Sequence, residues 1–238
     1  MEEFSRTEQL LGDEFLQRLS AARVAVFGIG GVGGYVAEAL ARCGVGALDL
    51  IDSDRISLSN INRQIIALHS TVGQKKTEVM ARRIADINPK VSVTAHTVFY
   101  LPETASLFRF EDYDYVVDAI DTVAGKLELV KRAKAAGVPI ICSMGAGNKT
   151  DPTAFRVADI YETSVCPLAK VMRAQCRKEG IESLKVVYST EPPLTPIKVA
   201  ERKDGRTPPA SVMFAPAGAG LVIAREVVMS LGGMDGKR

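Results

Sequence analysis

The run Arg23-Val24-Ala25-Val26-Phe27-Gly28-Ile29-Gly30-Gly31-Val32-Gly33-Gly34 joins a short apolar segment to a glycine-rich turn. Arg23 to Phe27 reads as a buried strand. Beyond the glycines, Val36, Ala37, Leu40 and Ala41 recur at the spacing of an amphipathic helix. Ala47 to Ile51 then reads as a second buried strand, ending at Asp52. Strand, turn, helix and strand make a βαβ unit with a parallel pair. Within it, Gly28, Gly30 and Gly33 hold the spacing of a dinucleotide-binding fingerprint, with Gly31 between them. Glycines let the backbone turn tightly and let phosphate reach amides at the positive end of a helix. A carboxylate at the end of the second strand, here Asp52, meets ribose hydroxyls. A turn serving only helix–strand packing is the plain alternative, and the βαβ context weighs against it. The fingerprint points to a nucleotide without separating NAD from ATP.

Working outward, residues 8–21 place Leu10, Leu11, Phe15, Leu16 and Leu19 on one helical face. A polar, asparagine-rich loop spans Ser53 to Gln64, followed by a helix over 75–88 that Pro89 ends. Strands are expected over 91–95, 115–120 and 139–143, with a helix over 123–136. Repeated strand–helix alternation predicts an α/β fold, a Rossmann-like, doubly wound and mostly parallel sheet. After Met144 the pattern loosens into a loop over 145–152, a strand over 155–160 and a helix over 167–178. A proline-bearing stretch comes next, and an apolar helix over 211–231 is expected to pack on the sheet. The expectation is one domain across 1–238, with a nucleotide-binding core over 20–150 and a substrate-side elaboration over 151–238.

Composition sets bounds on function. With 47% hydrophobic residues the chain can bury a large core, and 30 basic against 28 acidic residues announce no nucleic-acid binder by net charge. The acidic N-terminus lacks a secretory layout, and no stretch approaches ~20 uninterrupted apolar residues, so no membrane span is expected. Cys43, Cys142, Cys166 and Cys176 include no Cys-x-x-Cys pair, which points to reduced thiols in the cytoplasm.

ATP is favoured over NAD by the residues downstream of Asp52. Hydride transfer commonly uses a histidine relay. His69 and His96 are the chain's histidines, and neither is expected beside a strand end in the motif region. Nucleotidyl transfer needs cations for a developing pentavalent phosphate and for leaving pyrophosphate. Arg63 and Lys76 supply them, and an arginine grips two phosphate oxygens at once. Asp121, at a strand end facing the crevice, is placed to hold Mg²⁺ against phosphates. Singly, each has a bland reading: a solvated lysine, a surface ion pair, a helix cap.

These residues resemble the ubiquitin-activating-enzyme superfamily in its bacterial ThiF/MoeB/HesA branch. The resemblance rests on Gly28-x-Gly30-Gly31-Val32-Gly33, Asp52-x-Asp54, Ser59-Asn60-x-Asn62-Arg63-Gln64, Gly73-x-x-Lys76 and Val117-Asp118-Ala119-Ile120-Asp121. It implies ATP and Mg²⁺ as cofactors and acyl-adenylate formation in a homodimer. By position, Asp52 matches the ribose-binding acid and Asp121 the magnesium-associated acid. Asn60, Arg63 and Lys76 match phosphate-contacting residues, with Asp54 and Gln64 in the same nucleotide set. Arg6 resembles an arginine that reaches into a partner subunit's site. Within the branch, Gly145 to Thr153, Pro167-Leu168-Ala169 and Tyr188 to Pro192 are similar to the tRNA threonylcarbamoyladenosine dehydratases.

That likeness implies a tRNA bearing N6-threonylcarbamoyladenosine as substrate and partner, cyclised through an acyl-adenylate. A sulfur-transfer protein stands as a further candidate partner. Adenylation of a ubiquitin-like sulfur carrier is the alternative, with Cys166 as thiol acceptor. The missing Cys-x-x-Cys zinc ligands of many carrier-activating relatives point away from it. A non-catalytic NAD-binding module is the third reading. Lys170, Arg173, Arg177 and Lys178 on one helix, with Lys198, Arg202, Lys203 and Arg206, are candidate RNA contacts. A solvated helix face is the alternative for them.

Overall fold

The computed structural model describes residues 2–198 and 209–234. Its centre is β1 (Arg23–Phe27), paired in parallel with β2 (Ala47–Ile51) on one side and β4 (Tyr115–Asp118) on the other. β3 (Ser92–His96) lies outside β2, and β5 (Ile140–Ser143), β7 (Lys185–Ser189) and β6 (Phe155–Asp159) continue beyond β4. The order is β3-β2-β1-β4-β5-β7-β6, parallel throughout except for antiparallel β6. The winding direction reverses between β1 and β4, where an open α/β sheet leaves a crevice at its strand ends.

Alternation along each strand feeds two cores. Val24 and Val26 join Val36, Leu40, Leu48, Leu50, Met80 and Ile84 on one face. Ala25 and Phe27 join Val116, Leu129, Val130 and Cys142 on the other. Successive side chains of a strand point to opposite faces, so β1 has to be apolar on both. The first face is covered by α3 (Gly33–Cys43), α4 (Lys76–Ile87) and α7 (Phe214–Leu231). The second is covered by α5 (Val123–Ala135) and α6 (Pro167–Lys178). α7 is long and apolar enough to cross a membrane, and its apolarity is accounted for by packing on α3 and the sheet, with half of it buried.

Two expectations are corrected, and one strand was not expected. The helix over 8–21 is two helices, α1 (Ser5–Leu11) and α2 (Asp13–Ala21), because Gly12 sits at φ 88° and ψ 162°, outside helical space. The strand over 115–120 stops at Asp118, whose Oδ1 accepts from the Ile120 backbone N–H and turns the chain. β7 had no counterpart among the expected strands. Its five residues carry no periodicity long enough to separate strand from helix.

Candidate nucleotide-binding site

At the reversal point, the turn after β1, the ends of β2 and β4 and the start of α7 enclose a cleft of about 410 Å³. Two glycines are obligatory in it. Gly28 lies at φ 91°, and a Cβ there would come within 2.6 Å of the Ala119 carbonyl oxygen. At Gly33 a Cβ would fall 1.8 Å from the Gly28 oxygen, so the turn closes only on hydrogen. α3 thus starts with its amides against the cleft.

Asp52 is fixed at the cleft edge. Its Oδ2 accepts from the Ile29 backbone N–H at 2.7 Å and its Oδ1 from the Asp54 N–H at 2.8 Å. Burial pushes its carboxyl above the usual range, and Lys76 and the two amide donors pull the other way. Lys76, 5% exposed at the first turn of α4, donates to Asp54 at 2.6 Å and lies 3.8 Å from Asp52. Arg63 follows the short 3-10 turn Leu58–Asn60. Its Nη1 donates to the Ser59 carbonyl and the Asn62 Oδ1, both at 2.9 Å. Desolvation lowers its pKa, and it makes no ion pair among the described residues. Asn60 closes the turn before it, accepting from the Ser57 N–H at 3.0 Å. Gln64 is buried, and its Oε1 has no hydrogen-bond partner among the described residues.

The cleft therefore gathers Gly28, Gly30, Gly31, Asp52, Asp54, Asn60, Arg63, Gln64, Lys76 and Asp121 into one lining. Gly33 stands just behind it. Asp121 is exposed. Among the described residues no group of three or more His, Cys, Asp or Glu could cage a metal. One carboxylate at the mouth fits Mg²⁺ arriving on a nucleotide, because that ion keeps waters and takes one or two protein carboxylates plus phosphates. Arg6 is exposed on α1 and does not line this chain's own cleft.

Other sequence candidates separate. His96 ends β3, away from the strand ends that carry the motifs. Its Nε2 lies 2.9 Å from Asp49, and it does not line the cleft. Cys166 is 3% exposed at the start of α6, a poor position for a thiol acceptor. Arg173 is spent on the Thr163 carbonyl and hydroxyl, and Arg177 lies 5.3 Å over the Tyr161 ring. Lys170, Lys178 and Lys198 are exposed. Arg202, Lys203 and Arg206 fall outside the described residues.

Sequence reasoning missed two features. Val98 to Tyr100 line the cleft immediately after β3, a position that any strand end at this sheet edge would suggest. Lys126 is fully buried in α5, its Nζ donating to Asp118 at 3.0 Å and to the Ser143 carbonyl at 2.8 Å. That buried pair props the turn carrying Ala119 to Asp121.

Comparison with known proteins identifies the family. The ThiF family model matches residues 4–237. The tRNA threonylcarbamoyladenosine dehydratase of Bacillus subtilis is 46% identical over 97% of this chain and 95% of its own length. The E. coli tRNA N6-threonylcarbamoyladenosine dehydratase in complex with AMP superposes with a TM-score of 0.89 at 34% identity, covering 100% of this chain and 96% of that one. The same enzyme in complex with ATP gives 0.85 at 35% identity, over 99% and 97%. A family match across nearly the whole length, with a relative this similar from end to end, establishes that the chain belongs to the ThiF family.

Proposed function

We propose that this chain is an ATP-dependent adenylating enzyme that cyclises N6-threonylcarbamoyladenosine in tRNA. The observation that carries the reading is Arg63: a half-buried guanidinium lining the cleft beside the glycine turn, held among the described residues by the neutral acceptors Ser59 and Asn62. A half-buried cation without an anionic partner gains charge-assisted hydrogen bonds when a phosphate arrives. The relatives crystallised with AMP and ATP support the nucleotide, and the full-length likeness to dehydratases supports the substrate.

In this reading the glycine turn and the N-terminus of α3 hold the phosphates, and Asp52 accepts from the ribose hydroxyls. Arg63 and Lys76 meet the charge that builds on the α-phosphate and on leaving pyrophosphate. Lys76 exchanges Asp54, whose side chain is 62% exposed, for phosphate. Mg²⁺ at Asp121 supplies charge neutralisation along the polyphosphate when bound. The threonyl carboxylate attacks the α-phosphate and pyrophosphate leaves. The neighbouring carbamoyl group then attacks the activated carbonyl, and AMP departs carrying one carboxylate oxygen, with one proton released. The net change is loss of water from the nucleoside. Both groups sit on one nucleoside, so proximity replaces an enzyme nucleophile, in keeping with a buried Cys166.

Arg6, exposed and away from its own cleft, fits a homodimer in which it enters the other copy's site. The segment after 151 belongs to the same adenylating unit and forms its substrate side. A tRNA substrate accords with the cytoplasm as the protein's compartment. A sulfur-transfer protein is a partner to be sought by pull-down.

Incubating threonylcarbamoyladenosine-bearing tRNA with ATP, then analysing nucleosides by mass spectrometry, tests the reading. The expected product is lighter by one water, with AMP formed in equal amount. AMP formation driven by a carrier protein and not by this tRNA would overturn it.

A further inference from the structure

Gly145 to Thr153, one of the segments similar to the dehydratases, contains an asparagine to which the adenylation chemistry gives no role. Asn148 follows the cleft-lining Gly147 and adopts φ 57°, a left-handed conformation that asparagine tolerates. Its backbone N–H donates to the Ala210 carbonyl at 2.7 Å, and its Oδ1 accepts from the Ala210 N–H at 2.8 Å. Its own carbonyl accepts from the Leu194 N–H at 2.7 Å. One residue therefore ties two stretches of chain that are far apart in sequence. Gly147 permits the approach, since a Cβ there would lie 2.6 Å from Pro209.

The tie continues across the cleft. Pro209 and Ser211 both line it. The Ser211 carbonyl accepts from Asn62 Nδ2 at 2.9 Å, and Asn62 Oδ1 accepts from Arg63 Nη1 at 2.9 Å. A continuous path thus runs from Asn148 by hydrogen bonds to Ala210, along the chain to Ser211, and by hydrogen bonds again to Asn62 and Arg63. Asn62 serves both ends at once: its amide nitrogen holds the segment and its oxygen aims the guanidinium.

We infer that Asn148 and Asn62 are positioning residues, which clamp Pro209 to Ser211 as a wall of the cleft and through it orient Arg63 toward the distal phosphates of ATP. The inference rests on Arg63 being a phosphate-binding cation, as the proposed function has it. It implies that Asn148, whose hydrogen bonds go to Ala210 and Leu194, changes how the cleft tells ATP from AMP.

Calorimetric titration of ATP and of AMP into the full chain tests this with Arg63→Ala, Asn62→Ala, Asn148→Gly and the double variant Asn62→Ala/Asn148→Gly. Glycine at 148 keeps the left-handed backbone and its bond to Ala210 while removing the side-chain acceptor. Asn62→Ala and Asn148→Gly are each expected to reduce the preference for ATP over AMP about fivefold, the worth of one hydrogen bond. The double variant is expected to match the more damaged single, because both act through one segment. Melting temperatures should stay near wild type, and amide exchange in the peptide spanning 209–213 should speed up in both singles. An unchanged nucleotide preference in Asn148→Gly, unchanged exchange at 209–213, or an additive double variant would each overturn the clamp. If Arg63→Ala also leaves ATP binding intact, the fault lies in the cation assignment itself; if Arg63→Ala weakens ATP while Asn148→Gly does not, the fault lies in the clamp alone.

Discussion

The regions around Lys76 and Lys126 each bury an ammonium, and they do so on opposite terms. Lys76 opens α4 at the cleft, and its close partner Asp54 has a side chain 62% exposed. Lys126 lies inside α5, and both it and Asp118 are 0% exposed. The first pair can part, because water is ready to take Asp54 and the cleft is open to an anion. The second cannot, because both partners are sealed from solvent and no water is at hand to take up the Asp118 charge. A lysine with a replaceable partner is suited to meeting substrate charge. One without is suited to holding a turn. The two lie on either side of the cleft's chemistry, one facing phosphate and the other beneath the Ala119 to Asp121 turn.

Replacing Lys126 with Met is the severest way to break this contrast. It strands the Asp118 charge in the core at a cost of about 3–5 kcal/mol. For a chain of this length that lowers the melting temperature by roughly 10 °C, read by calorimetry. Adding Asp118→Asn to Lys126→Met is expected to recover part of the loss. No recovery would mean that the ammonium acts through Ser143 and not through the ion pair.

Lys76→Ala is expected to do the reverse. Its close partner Asp54 is hydrated while Asp52 keeps two amide donors, so unfolding should shift by about 1–2 kcal/mol, less than for Lys126. AMP formation with modified tRNA should fall on the order of 10²-fold, as for loss of one transition-state donor. A large drop in stability with this substitution would erase the distinction between the two lysines.

The smallest effect concerns Asp52, which stands between Lys76 and the glycine turn. Burial raises its carboxyl above the 3.8 of a free aspartate. Between 3.8 and that raised value the native state binds more protons than the unfolded one. Its contribution to stability therefore declines as pH rises through this window and is level above it. Nucleotide affinity runs the other way, because only the carboxylate accepts from two ribose hydroxyls. ATP binding is expected to weaken roughly fivefold as pH falls through the folded value. Asp52→Asn should flatten both profiles, and titrations at several pH values would reveal a persisting slope.

Much of the cleft was legible in the chain because its parts are contiguous. Gly28 to Gly33 is one turn; Asp52 and Asp54 directly follow one strand; Asn60, Arg63 and Gln64 sit in one loop; Lys76 starts one helix. Each carries a local signature of spacing, capping or strand-end position, and local signatures survive without knowledge of the fold. Lys126 carried none: a lysine in a helix is ordinarily solvated, and only the packing of α5 on β4 and β5 puts this one out of water. β7 was invisible for a related reason. Its five residues are too few to show a period, and a place between two strands is conferred by neighbours.

The chain by itself determined the βαβ unit, the parallel sheet and the phosphate-facing turn, because apolar periodicity and obligatory glycines act over a few residues. The tertiary structure alone decided which polar groups are sealed and which are open, and which distant backbones meet. Asn62 and Ser211 are 149 residues apart, and nothing short-range can announce a hydrogen bond between them. Desolvation and long-range hydrogen bonding depend on what surrounds a group in space, and that comes into being only when the whole chain has packed.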